Sequence, residues 1–461
     1  MVDEKSVLPL GDFLFPRIFQ AFRMAIGPSK LAIAFAALTI ICLTGWIMDL
    51  SRTVVTGSYA VVPPRGGSGE IRRIQEAAEL DIYLLPDASL KNFIESREAT
   101  GTRTGVFCTL WRYGDKEFHN ALYAIFSWNP LGVARSAANG VKALIWAFRW
   151  HTTYSIIFFT VVFVALSLAG GAICRIAALQ FTQAERPGLR QAVHFALRRP
   201  VSLLGGPMIP VVLILAFGAP IMLMGLAGNL PIIGELLTGL FLLLAFVAAC
   251  AVTVILVGAT AGLGLMSPAV AYEDSDSFDA INHSLSYVYA KPWHMGFYTS
   301  IAVVYGAVCY VFVRLFGFLL LWTTYRFLEI GFLGQNEKLH WIWPEPTFAN
   351  FLGTPGAMPH VSHMWSLVVA AVLVRISVLA IIGLTVSFVI SFYFSANTII
   401  YALMRHRTNG TPLEEIYIRP GEASAELPLF EAGPEATASP SSDEPATARN
   451  GGSVQELKTS E

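Results

Sequence analysis

Six stretches of this sequence stay apolar for about 20 residues or more, the length that carries a helix across the hydrocarbon of a bilayer. They are Leu31–Leu50, Thr152–Leu179, Val201–Leu226, Ile232–Leu265, Gly296–Phe327 and Ser366–Met404. Such a chain has few structural choices. Every backbone N–H or C=O left unpaired in lipid costs several kcal/mol, and a helix pairs all of its own. Of the 461 residues, 54% are hydrophobic and only 14% charged, against roughly 25% charged in an ordinary soluble domain. The expected fold is therefore all-α: a polytopic membrane helix bundle with about six transmembrane helices and additional interfacial helices.

Orientation follows from charge. Between the second and third runs, Arg186, Arg190, Arg198 and Arg199 face a single acid, Glu185, and short basic loops stay on the cytoplasmic side. The tip between the third and fourth runs, AGNLP, carries no Lys or Arg. Counting spans then puts both termini in the cytoplasm. Residues 1–30 read as a cytoplasmic interfacial helix, with Phe13, Leu14, Ile18, Phe19 and Phe22 on one face and Arg17 and Arg23 reaching headgroups. A cleaved signal peptide would have a shorter positive region and apolar core. Residues 31–50 form the first span. Residues 51–151 form an extracytoplasmic helical insertion after the irregular entry Pro63, Pro64, Gly66 and Gly67. Helices are expected there over Glu70–Leu84 and Ser89–Ala99. The segments Phe118–Trp128 and Leu131–Trp150, with Arg135, Lys142 and Arg149 among their aromatics, suit a headgroup interface or the inside of a small helical domain. Residues 152–404 hold the remaining spans, and residues 405–461 end in a disordered acidic tail rich in Ala, Ser, Pro and Glu.

A polar island from Met266 to Phe297 separates the fourth and fifth spans. Ser277 can cap a helix there, and Phe278, Ile281, Leu285 and Val288 recur at helical spacing. This reads as an amphipathic helix near residues 277–290, lying on the membrane surface. The acids Glu273, Asp274, Asp276 and Asp279 mark its solvated start. Their spacing departs from that of a calcium loop and lacks the closing Glu.

Three ionisable residues in apolar surroundings are the candidate ligand or lipid contacts. Arg314 and Arg375 lie inside the fifth and sixth runs. They either snorkel to headgroups, with Glu329 nearby, or line a cavity for an anionic group. Glu235 begins the fourth span, where a carboxylate is favoured by the helix dipole. Pro207, Pro210 and Pro220 predict a kinked or broken third span, and Gly258 and Gly262 have the small-xxx-small spacing that lets another helix approach. His340, His360 and His363 have no acidic ligand beside them, so no metal is expected. Four of the five cysteines, Cys42, Cys174, Cys250 and Cys309, sit in apolar runs and Cys108 stands apart, which excludes a disulfide framework.

Two segments carry a family resemblance. In SPAVAYEDSDSFDAINHSLSYVYAKPWHMGFY, the residues Pro268, Ala280, Ser284, Leu285, Pro292 and Trp293 match the pattern of a span end, an amphipathic helix and a basic-Pro-aromatic exit. This resembles the membrane domain that accompanies some glycerophosphodiester phosphodiesterases. The segment GGAICRIAALQFTQAERPGLRQAVHFALRRP is similar to the basic loop of multi-span bacterial proteins of planctomycete type. The resemblance implies a multi-span protein of a bacterial inner membrane. It carries over no catalytic activity, because no phosphodiesterase domain follows the spans. Motifs of hydrolases, zincins and nucleotide-binding loops are missing, and so is any cofactor motif. With a net charge of −1, no field recruits nucleic acid. The function expected is a non-enzymatic scaffold or accessory subunit interacting with membrane lipid or a membrane-protein partner. The alternative is a transporter or permease for an anionic or lipid-like substrate, with a membrane-bound enzyme third.

Overall fold

The computed structural model describes residues 15–61, 72–85, 90–97, 101–183, 187–332, 336–348, 351 and 365–413. After a 3-10 turn at Phe15–Phe19 come α1 (Gln20–Ala25), α2 (Pro28–Met48), β1 (Val54–Val61), β2 (Arg72–Ala78), α3 (Glu79–Tyr83), α4 (Leu90–Arg97) and β3 (Thr102–Thr104). Next are α5 (Val106–Phe126), α6 (Pro130–Trp150), α7 (Thr152–Thr182), α8 (Leu189–Arg198), α9 (Pro200–Ala227) and α10 (Ile233–Glu273). The remainder is α11 (Ser277–Ala290), α12 (Pro292–Gly331), α13 (Asn336–Ile342) and α14 (Trp365–Asn409). Among the described residues, six helices, α2, α7, α9, α10, α12 and α14, are long and apolar enough to cross a membrane. The chain is a multi-pass, all-α membrane bundle.

Proline fixes where several of these helices start. Pro28, Pro130, Pro200 and Pro292 occupy the first turns of α2, α6, α9 and α12, where a missing N–H costs nothing because that donor has no helical partner anyway. Within α9, Pro207, Pro210 and Pro220 leave one continuous helix of 28 residues. Of the kink or break expected there, the break is absent.

The insertion after α2 is not wholly helical. Arg72–Ala78, inside the segment expected to be helix over Glu70–Leu84, is a strand, and helix follows only from Glu79. The sheet has the order β2-β1-β3, with both pairs antiparallel. Ladder pairing with β1 overrides the local helical composition. The buried Glu79 accepts the Val55 N–H at 2.6 Å and so holds the start of α3 to β1. Val54, Leu80, Ile82 and Phe93 then pack with Trp146 of α6 as one core. Asp49, at the end of α2, caps α5 from outside. Its carboxylate accepts the N–H groups of Phe107 and Cys108 at 2.9 and 2.8 Å and the Tyr154 hydroxyl at 2.8 Å. A Cβ at Gly105 would fall on that carboxylate, so the close approach needs glycine.

The largest core lies where α1 and the ends of α7, α10 and α14 meet α8 and α11. Two expectations are corrected there. The N-terminal segment packs much of its apolar face on protein, with Ile18 buried, while Phe19 stays 46% exposed. Phe15, Phe19 and Phe22 make edge contacts with Phe297, Tyr305 and Phe388, and Ser391 donates to the Ala25 carbonyl at 2.8 Å. The basic connection after α7 is the amphipathic helix α8, which buries Ala192, Phe195 and Ala196.

The second correction concerns the polar island. α11 packs one face on the bundle, burying Ile281 and Val288, while Phe278 of the expected apolar face is 73% exposed. It turns back along α10, with Ser284 donating to the Gly262 carbonyl at 2.6 Å and the Tyr289 hydroxyl donating to the Val254 carbonyl. Gly258 and Gly262 supply the close approach: a Cβ at either would collide with α11 side chains. Their small-xxx-small spacing thus packs a helix, as read from the sequence, and the helix is α11. Ser277 is the first residue of α11 rather than its cap. Its hydroxyl donates to the Val201 carbonyl of α9 at 3.1 Å, and the capping position belongs to Asp276.

Of the disordered tail expected over residues 405–461, residues 405–409 instead end α14, where Arg405 pairs with Glu273; residues 414–461, Pro63, Pro64, Gly66 and Gly67, and His360 and His363 lie outside the described residues. Among those described, no group of three or more His, Cys, Asp and Glu side chains is placed to hold a metal ion.

Candidate functional site

The three ionisable candidates do not converge. No hydrogen bond or ion pair among the described residues joins any two of them. Glu235 stands exposed in the first turn of α10, the position its dipole role requires. Arg375 is half-buried on α14. Arg314 is only 8% exposed and is turned into the protein rather than toward solvent or Glu329. That glutamate takes Arg326 at 2.7 Å instead.

Around Arg314 the geometry is specific. Nη1 donates to Nε2 of His119 at 2.6 Å, Nη2 donates to the Phe348 carbonyl at 2.7 Å, and the guanidinium lies over the Phe348 ring at 4.4 Å. An arginine can only donate, so His119 accepts at Nε2 and carries its proton on Nδ1. That nitrogen lies 2.8 Å from the Asp115 carbonyl and 3.1 Å from its Oδ1. The hydrogen bond with the Asp115 side chain holds the His119 pKa above its ordinary value, against burial and the neighbouring Arg314. Arg314, His119 and Asp115 therefore form a line of charge and hydrogen bonds from α12 into α5. Nε of Arg314 is buried and has no partner among the described residues.

One turn before Arg314, Tyr310 packs edge-on to Phe118 at 5.0 Å between ring centroids. Both line a cleft of about 230 Å³ between α5, α12 and α14. Its walls are almost entirely hydrocarbon, including Leu122, Ala307, Phe388 and Phe392. Among the described residues, the buried polar atoms there without a partner are the hydroxyls of Tyr310 and Thr299.

A second polar cluster ties the far ends of α10 and α14 together. Glu273 accepts from the Tyr401 hydroxyl at 2.7 Å and pairs with Arg405 at 3.1 Å and His283 at 3.1 Å. Arg199 bridges Asp274 and Asp276 at 3.0 and 3.2 Å. The buried Arg175 donates to the Ala271 carbonyl at 2.8 Å and stacks on Phe195. The acids expected as a solvated helix start are thus, apart from the exposed Asp279, joined to basic groups on α11, α14 and the α8–α9 junction. Paired this fully, they read as a fastening between helices rather than a cation site.

Comparison with family models, with curated proteins and with solved structures finds no match. The site has to be read from its own geometry. Sequence reasoning found Arg314 but missed His119, Tyr310 and the role of Glu273. Asp115 and His119 do stand one helical turn apart, a spacing that favours contact on a helix. Nothing local marks their partner 195 residues away.

Proposed function

We propose that this protein is a non-enzymatic scaffold or accessory subunit of a bacterial inner membrane, with both termini cytoplasmic, that engages a membrane-protein partner and surrounding lipid through the α9–α10 hairpin. The observation that carries this reading is the hairpin's uncovered face. No residue of the most apolar stretch of α10 is buried. On α9, Val212, Leu215, Met222 and Leu226 stand exposed. Gly218, Gly225 and Gly239 have open space where a side chain would be. Gly218 and Gly225 are two turns apart on one helix face, and small residues there let another helix approach closely, which is how membrane helices associate in the absence of a hydrophobic drive. Arg314 supports the same conclusion from the other side. Both terminal nitrogens of its guanidinium are engaged by the protein itself, so it holds α5 on the bundle.

Cys250 is exposed on α10 and gives a native handle for the test. Cross-linking from Cys250 in native membranes is expected to yield one protein adduct of defined mass, lost in Gly218→Leu and Gly225→Leu. Adducts to lipid alone, unchanged by these substitutions, overturn the partner reading. The second reading, a permease for a lipid-like substrate, is favoured by the apolar cleft beside Tyr310. Uptake of a labelled lipid across vesicles containing the protein tests it.

A further inference from the structure

We infer that the cleft between α5, α12 and α14 binds a long-chain amphiphile, its alkyl chain lying along α12 and its anionic oxygen group meeting the Tyr310 hydroxyl. The site is separate from the α9–α10 hairpin, since no residue of that hairpin lines it.

The volume and the walls specify the chain. Apolar cavities of about 150 Å³ stay dry and accept small hydrocarbons, and this cleft offers about 230 Å³. It is also long. Thr299 and Tyr310 lie on one face of α12, and the helical rise of 1.5 Å per residue puts them about 16 Å apart. The entrance is lateral. Val303 on α12 and Tyr393 on α14 line the cleft while 47% and 46% exposed, and both helices are candidate spans. A lipid chain can therefore enter from the bilayer between two transmembrane helices without crossing water.

The polar atoms specify the head. Tyr310 is only 3% exposed, and its hydroxyl has no partner among the described residues. Leaving such a donor unpaired costs about 1–3 kcal/mol. An oxygen of the ligand accepting from it removes that cost. The charge comes from Arg314, one turn beyond Tyr310. Its terminal nitrogens are held by His119 and the Phe348 carbonyl and it does not line the cleft, so it acts through space, its cation favouring a negative group at this end. Carboxylate and phosphodiester share this chemistry, so a fatty acid and an anionic phospholipid are the two sources.

The test uses the full chain in phosphatidylcholine nanodiscs doped with one of two photoactivatable probes: palmitate or phosphatidylglycerol, each with a diazirine in the acyl chain. Adducts mapped by mass spectrometry are expected to concentrate in residues 299–310 and 388–400. Labelling by palmitate alone identifies a fatty-acid site, and labelling by phosphatidylglycerol identifies a phospholipid site. Ala307→Leu, which fills the cleft, is expected to lower labelling about tenfold. Tyr310→Phe removes only the hydroxyl and is expected to lower it about three- to tenfold, the range for one hydrogen bond. It also keeps the test decisive if the filled variant fails to fold. Excess unlabelled oleate is expected to compete with the palmitate probe. Adducts spread evenly over α9, α10, α12 and α14, or cleft labelling unchanged in Tyr310→Phe, overturn the inference. Cross-linking from Cys250 reads the partner face independently, so failure of one reading leaves the other standing.

Discussion

Ser284 donates a 2.6 Å hydrogen bond to the carbonyl of Gly262, and that contact turns a polar connection into a packed helix of the bundle. The glycine lets the serine reach the α10 backbone, and a side chain at Gly262 would occupy the place of the Ser284 hydroxyl. Gly262→Leu is expected to push α11 off α10 and lower stability by about 1–3 kcal/mol, the usual cost of overpacking. Ser284→Ala, which deletes only the bond, is expected to cost about 1 kcal/mol. Thermal unfolding in detergent ranks the two. Equal effects would show that the hydrogen bond, not the fit, holds the helices together.

Asp49 fastens the insertion to the first span. Its carboxylate serves two N–H groups at the start of α5 and the Tyr154 hydroxyl. Asp49→Ala removes a helix cap and leaves the half-buried Tyr154 hydroxyl only its long 3.5 Å contact to the Gly45 carbonyl, so a loss of about 2 kcal/mol is expected. Limited proteolysis should report this as faster cleavage within residues 51–151, with the spans still protected.

Glu273 joins three partners from two helices. Glu273→Gln keeps the shape and removes the charge that balances Arg405, and breaking one side of such a partly buried pair is expected to cost on the order of 3 kcal/mol. Adding Arg405→Gln should recover part of that loss, because the uncompensated cation goes with it. A double-mutant cycle measures the recovery, and strict additivity would show that the two residues do not interact.

His119 titrates where Asp115 sets it. The folded pKa is raised above the unfolded value of about 6.5. By this shift the imidazolium contributes stability that is complete below about pH 6.5 and disappears as pH rises through the raised folded value, while protonation at Nε2 ends its acceptance from Arg314. Asp115→Asn is expected to lower the midpoint and narrow this window. Histidine-selective NMR of the full chain reads the midpoint directly. An unchanged value would assign the shift to something other than the Asp115 carboxylate.

Cation placement shows how far sequence reasoning reaches. Arg314 is conspicuous in an apolar run, and its rarity there marks it as a residue with a task. The expected snorkelling fails because snorkelling assumes an uncovered helix. α5 supplies His119 and the segment before Phe351 supplies the Phe348 carbonyl, and neither neighbour is visible along the fifth run. The glycines of α10 show the opposite case. Their spacing announced a close contact, and only the identity of the visiting helix was hidden.

The number of spans, their helical state and their approximate ends were determined by sequence alone, because chain length per apolar run and the need to pair every backbone group in lipid are local constraints. Tertiary structure alone decided that Arg72–Ala78 is a strand, that α11 folds back on α10, that the N-terminal helix packs on protein, and that α5, α12 and α14 leave a cleft between them. Each of these depends on which surfaces meet. Contacts between residues hundreds of positions apart are set by shape and by unpaired polar groups, and neither is written in the period or composition of a single segment.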